Sequence, residues 1–189
     1  MAILMTGLCE KGVELIWKQC NEELYPQGIE YLEEAAHAGD AEGWFFLGNC
    51  YSWGDGAVGF SDKKAYECYK KGIEGGSVRC VLGAARSGQF DEELKKASPC
   101  TLEESYRAVL QSAEEGDAFS AFQIAAAYEW ETIFDLLQPE EQKRENCYKW
   151  YEQAAKGGIV SAMVKVGKCC LNGQYVPKNE EMALKWADR

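Results

Sequence analysis

The stretch AEGWFFLGNCYSWGDGAVGFSDKKAYECYKKGIEGG, residues 41–76, decides the fold. Its first half sets Ala41, Gly43, Phe45, Leu47, Gly48 and Tyr51 at helical intervals and stops at Gly54. A glycine-rich loop follows. Ser61 is placed to cap a second helix, in which Ala65, Cys68, Tyr69 and Gly72 recur every three or four residues before Gly75 ends it. Two such helices form a hairpin, and a hairpin alone cannot bury all of its apolar surface.

The scheme returns along the chain. Gly39, Gly75, Gly116 and Gly158 each close a helical stretch, at about 40 residues' spacing, which is the period of a stacked helical array. In a third unit Ala118, Ser120, Phe122, Ile124, Ala125 and Tyr128 take the places of Ala41, Gly43, Phe45, Leu47, Gly48 and Tyr51, and CYKWYEQAAKGG (147–158) supplies the second helix. A fourth, residues 160–189, keeps register through Gly167, Gly173, Val176, Asn179 and Ala183. The second is the most degenerate: Leu82-Gly83 persists, but Arg86 stands where Tyr51 predicts an aromatic. Gly48, Gly83, Ala125 and Gly167 are expected to let paired helices approach closely, so a bulky residue at Gly48 or Gly167 is expected to unseat the stack.

These motifs resemble the Sel-1-like repeat, a relative of the tetratricopeptide repeat. The resemblance is carried by LGNCYSWG (47–54), KKAYECYKKGIEGG (63–76), KWYEQAAKGG (149–158) and VGKCCLNGQYVPKNEEMALKW (166–186), with AAHAGD (35–40) as the end of a preceding unit. It implies an all-α fold, a right-handed α/α superhelical solenoid of about four helix-turn-helix repeats over residues 27–189, the last incomplete. Residues 1–26 match less well and read as a divergent amino-terminal hairpin or cap, with IWKQCNEELYP (16–26) helical up to Pro26. The departures are Gly43 for a second alanine, an extra residue in GDGAV (54–58), the weak second unit, and two long connections, 89–100 and 131–146. Thr101 and Glu104 form a capping box after the first connection. The second contains IFDLL before Pro139, which reads as a longer helix or an added turn.

On a helical wheel Glu42, Phe46, Asn49 and Trp53 lie opposite Trp44, Leu47 and Tyr51. The matching stripe is Phe119, Gln123, Ala126 and Trp130 in the third unit, and Ser161, Lys165, Lys168 and Asn172 in the fourth. The resemblance implies that first helices line a concave groove. The expected partner-binding residues are therefore Glu42, Phe46, Asn49, Trp53, Phe119, Gln123, Trp130, Lys165, Lys168 and Asn172, with Trp53 and Trp130 as anchors.

Composition bounds the partner. With 31 acidic against 20 basic residues the net charge is −11, which disfavours nucleic acid and anionic membrane. No run approaches the roughly 20 apolar residues of a membrane span. MAILMTGLCEKG lacks the basic start of a secretory signal, so a cytoplasmic location is expected. Nine cysteines without a CxxC pair argue against zinc and a disulfide ladder, and the adjacent Cys169 and Cys170 read as packing residues. His37 is the only histidine, so no metal pair or Cys-His nucleophile assembles; GDGAVG (54–59) lacks the ending of a phosphate loop. No cofactor, no metal and no enzyme activity are expected.

The leading expectation is a scaffold or adaptor that holds a protein or peptide in its groove, or a regulatory subunit of an enzyme. The alternative from another class is a secreted, cysteine-rich member of the family with penicillin-binding or weak β-lactamase activity. Those members carry a cysteine pair in nearly every unit, whereas Cys68, Cys80, Cys147 and Cys170 stand at packing sites. Self-association through the open carboxy-terminal repeat is a further expectation.

Overall fold

A computed structural model describes residue 3, residues 5–130 and residues 140–188, with the backbone alone for 140–144. Among the described residues the regular elements are eleven α-helices and short π and 3-10 turns, with no strand. The fold is an all-α array of helical repeats. The chain divides into two compact units, residues 1–108 and 109–189, the boundary falling inside one helix.

The first unit opens with α1 (Gly7–Val13), which runs straight into a π-helical turn, Glu14–Gln19. Cys20 then adopts a left-handed conformation, φ 50°, and the helix breaks there rather than continuing to Pro26. After a 3-10 turn at Glu22–Leu24, α2 (Tyr25–His37) begins with Pro26 in its first turn. Proline opens this helix because a first-turn N–H has no partner inside the helix anyway, so its loss costs nothing there.

The quoted stretch forms α3 (Ala41–Trp53) and α4 (Asp62–Glu74), with Ser61 Oγ accepting from the Lys64 amide at 3.4 Å. α4 ends at Glu74 with Gly75 as its cap, as expected; Gly75 keeps right-handed angles, and the left-handed residue that follows the cap is Gly76, φ 91°. A Cβ on Gly48 would lie 2.6 Å from the Tyr69 ring, so the close approach of α3 to α4 is real. α3 is apolar or small nearly all round, and α2, α4 and α5 (Val78–Arg86) pack against it.

The 89–100 connection carries a short helix, α6 (Glu92–Ala97), capped by Asp91 and set against α4. Buried Leu94 holds it there, flanked by hydrogen bonds from Tyr66 to Asp91 (3.1 Å) and Glu93 (3.3 Å) and by Lys70 to Glu93 at 2.5 Å. α7 (Leu102–Glu114) contains the unit boundary and starts with the expected capping box: Glu104 accepts from the Thr101 amide at 2.8 Å and Thr101 Oγ1 from the Glu104 amide at 3.2 Å.

The second unit contains α8 (Ala118–Glu129), α9 (Glu140–Lys156), α10 (Val160–Asn172) and α11 (Glu180–Ala187). α8 pairs with α9, α10 packs on α9, and α11 folds back on α10. Trp150, Tyr151, Ala154 and Ala155 of α9 form the core. Ala125 supplies the expected small residue, its carbonyl 3.7 Å from the Cys147 thiol. Gly167 does not clamp its hairpin: the nearest atoms to an added Cβ, on Ala183 and Trp186, lie at 3.7 Å, an ordinary contact. The added turn expected at IFDLL and Pro139 lies outside the described residues.

Candidate functional site

The stripe of α3 expected to face a partner is mostly buried. Glu42, Phe46 and Asn49 are shielded: Trp17 packs on Phe46, Ser77 and Arg79 meet Glu42, and Arg86 meets Asn49. Thr6 donates its amide to Asp40 at 2.7 Å, and Asp40 in turn caps α3 through the Glu42 amide at 3.0 Å. The Trp17 ring packs on Phe46 with centroids 5.3 Å apart. Glu42 accepts from Ser77 Oγ at 2.6 Å and faces Arg79 at 3.5 Å, both side chains of the ion pair being buried. Arg79 lies 5.8 Å from the centroids of both Phe45 and Phe46 and donates to the Met5 sulfur at 3.8 Å. This is a structural knot. A carboxylate and a guanidinium withdrawn from water hold each other strongly, and separating them leaves an uncompensated charge.

Beyond that knot a surface opens at the end of α3. Trp53 is 46% exposed, and the Arg86 guanidinium lies 5.1 Å above its ring. Arg86 also donates to Asn49 Oδ1 at 2.7 Å, while Asn49 Nδ2 donates to the Phe45 carbonyl at 3.3 Å. Asn49 therefore serves the surface from below, by holding the arginine over the indole. Next to it, burial pushes the Asp55 carboxyl above its ordinary value; the hydrogen bond from Trp17 Nε1 (3.1 Å) and the charge of Arg86 pull the other way. The result is a ring-and-cation platform with a carboxyl close by.

In the second unit Phe119 and Gln123 are buried, contrary to the expected exposed stripe, and Phe119 stacks edge-on with Phe122 at 5.7 Å. α8 is apolar or small on nearly every side, so the wheel has no polar face to turn outward. Trp130 is 62% exposed. Beside it Glu129 accepts from the Tyr151 hydroxyl and from Lys165 Nζ, each at 2.6 Å, which fixes Lys165 over the Tyr151 ring at 5.9 Å. Lys168 and Asn172 are exposed on α10.

Arg86, Asp55, Trp17 and Glu129 were not among the partner-binding residues expected from the sequence. The signal for Arg86 was present: a cation where the repeat expects an aromatic. Trp17 and Asp55 are 38 residues apart and meet only through folding.

Catalytic groups do not converge among the described residues. His37 donates Nδ1–H to the Glu33 carbonyl at 2.7 Å and meets Trp44 edge-on at 5.2 Å. All nine cysteines are free thiols, seven of them buried, and burial pushes Cys9, Cys50, Cys68, Cys80, Cys147 and Cys169 upward. No group of three or more metal-binding side chains occurs among the described residues, and no helix there is long and apolar enough to cross a membrane.

A stack of helical hairpins whose exposed aromatics lie on the surface belongs to the class of helical-repeat proteins. The Sel1 repeat model matches residues 23–40, 42–77, 137–159 and 160–189, more than half of the sequence, and the chain belongs to that family. Proteins of this family act generally as protein-interaction scaffolds. No curated protein matches the chain. Among solved structures it is similar to a Sel1 repeat protein from Oxalobacter formigenes, at 21% identity over 86% of this chain and 44% of the other, TM-score 0.43. It is also similar to c5321, a protective antigen of uropathogenic Escherichia coli with an SLR fold, at 20% identity over 90% and 44%, TM-score 0.30. The chain spans less than half the length of either.

Proposed function

We propose that the chain is an interaction scaffold that holds a segment of another protein, and that each unit contributes a tryptophan-centred patch. The observation that carries this reading is Trp53, half exposed under a guanidinium that Asn49 holds in place. An indole offers a large apolar face at little entropic cost. A fixed arginine beside it adds a donor for a carboxylate or carbonyl oxygen. A peptide bringing an apolar side chain and an acidic or backbone oxygen a few ångströms apart fits that pair. Trp130, at the equivalent end of α8 and next to the Lys165–Glu129 pair, suits a second anchor of the same kind. Lys168 and Asn172 complete the exposed polar positions of the proposal.

The test compares affinity capture from native extract by the unaltered chain, by Trp53→Ala, by Trp130→Ala and by the double variant. Helical content and melting are expected to hold, because Trp53 is about half exposed and Trp130 more than half, while recovery of the partner falls with each change. Undiminished capture by the double variant would refute the patches. A large drop in melting temperature would show instead that the rings belong to the core.

A further inference from the structure

Resting on the scaffold reading above, we propose that the Trp53 patch takes an acidic segment, seating a carboxylate at Arg86 beside an apolar side chain on the indole, and that Asp55 is a built-in competitor for the same arginine. Capture is then coupled to the uptake of a proton at Asp55.

The groups come from separate elements. Trp53 ends α3, Arg86 ends α5, and Asp55 opens the 3-10 turn Asp55–Ala57 that follows α3. The Arg86 guanidinium lies 5.1 Å over the Trp53 ring and donates to Asn49 Oδ1 at 2.7 Å; Asn49 is itself buried and tied to the Phe45 carbonyl, so the cation is positioned before any partner arrives. A guanidinium held in this way matches the flat, charged fork of a carboxylate better than any neutral oxygen. The net charge of −11 opposes an anionic segment at long range, but salt screens that field beyond about 8 Å, and at contact the local cation decides.

Asp55 is pinned beside that cation. Its Oδ2 accepts from Trp17 Nε1 at 3.1 Å, and the turn it opens is wedged so tightly that a Cβ on Gly56 would lie 3.0 Å from Ile29 Cδ1 and 3.4 Å from Ile16 Cδ1. The charge of Arg86 reaches the carboxyl from α5; the Cys50 thiol of α3 and the Tyr25 hydroxyl of α2 also feel it, and both stay neutral, burial pushing Cys50 up and the contact with Cys20 pushing Tyr25 up to about 12. For Asp55 itself burial outweighs the pull of Trp17 and Arg86, so the carboxyl sits above its ordinary value. While it keeps its proton it adds no negative charge beside the arginine. Once it ionises, it shares the cation and repels a second carboxylate. Affinity for an acidic segment is therefore highest between the ordinary carboxyl value, above which the segment is ionised, and the raised value of Asp55, and it falls as pH rises through the latter. By reciprocity the bound carboxylate raises Asp55 further.

The test titrates the full chain with two blocked tetrapeptides, Gly-Leu-Gly-Glu and Gly-Leu-Gly-Gln, followed by NMR through the indole N–H signal that Trp53→Phe removes. At about pH 5 the glutamate peptide is expected to bind about tenfold more tightly than the glutamine peptide, and to lose about tenfold in affinity by about pH 8. Asp55→Asn, which keeps an oxygen for Trp17, is expected to hold the tighter binding across that range. Arg86→Gln is expected to make the two peptides equal at every pH. Equal binding of both peptides by the unaltered chain, binding of neither, or a pH slope that survives Asp55→Asn would overturn the proposal. None of these outcomes touches the scaffold reading, because dependence of extract capture on Trp53 requires no carboxylate.

Discussion

Gly48→Ala tests the packing of the central hairpin. The added methyl would meet Tyr69 at Cε1, Cδ1 and Cζ, at 2.6, 2.8 and 3.1 Å. To reach an ordinary contact the ring must move by about 0.8 Å. It has nowhere to go: Gly83 of α5 already sits so near that its own Cβ would fall 3.0 Å from the same ring, and the Tyr69 hydroxyl is bound to Ser52 Oγ at 3.1 Å. Alanine is the better helix former by about 1 kcal/mol, which offsets part of the strain. Overpacking costs roughly 1–3 kcal/mol, and pulling Tyr69 off Ser52 about 1 kcal/mol more. The net expectation is a loss of about 1–3 kcal/mol, read as a lower urea midpoint by circular dichroism. Gly167→Ala is the internal control. The methyl makes only ordinary contacts at 3.7 Å, so the helix-forming gain is unopposed and the midpoint is expected to rise. A neutral or stabilising Gly48→Ala would refute the reasoning, since it would mean that the ring yields freely.

Other perturbations address different interactions. Glu42→Ala is expected to cost about 3 kcal/mol or more by leaving Arg79 buried without its carboxylate, measured by the same unfolding curve. Thr101→Ala removes half of a capping box and is expected to cost about 1 kcal/mol. Titration of native protein with a thiol reagent is expected to modify Cys20 at once and Cys100 slowly, the other seven responding only after denaturation; pairs missing from the denatured count would instead indicate disulfides. Asp55 sets a pH dependence. Its carboxyl is held above the ordinary value, so the folded chain keeps that proton more readily than the unfolded one. Its contribution to stability therefore falls as pH rises from the ordinary carboxyl value through the raised one. Asp55→Asn is expected to remove that slope, seen as the difference between the two stability–pH curves.

The repeat was legible because helical punctuation is local. Ser61, Thr101 and Asn179 cap helices through their own side chains, and glycines close them through their own backbone freedom, so neighbouring residues carry the information. The small-residue pattern likewise foretold the contact of Gly48 with Tyr69, 21 positions apart but fixed by the hairpin. Exposure was another matter. A wheel shows which residues share a face and not what lies over it. Glu42 and Phe46 share a stripe with Trp53, yet Ser77 and Arg79 meet the first, Trp17 packs on the second, and the third stays half exposed.

By itself the sequence determined an all-helical chain, the positions of its hairpins and the family to which it belongs, all of which follow from periodicity and capping within a few turns. Only the tertiary structure decided that Arg79 and Glu42 close an internal knot and that Arg86 rests on Trp53. Burial is a property of what packs on top, and here that is supplied by residues tens of positions away, which no local pattern records.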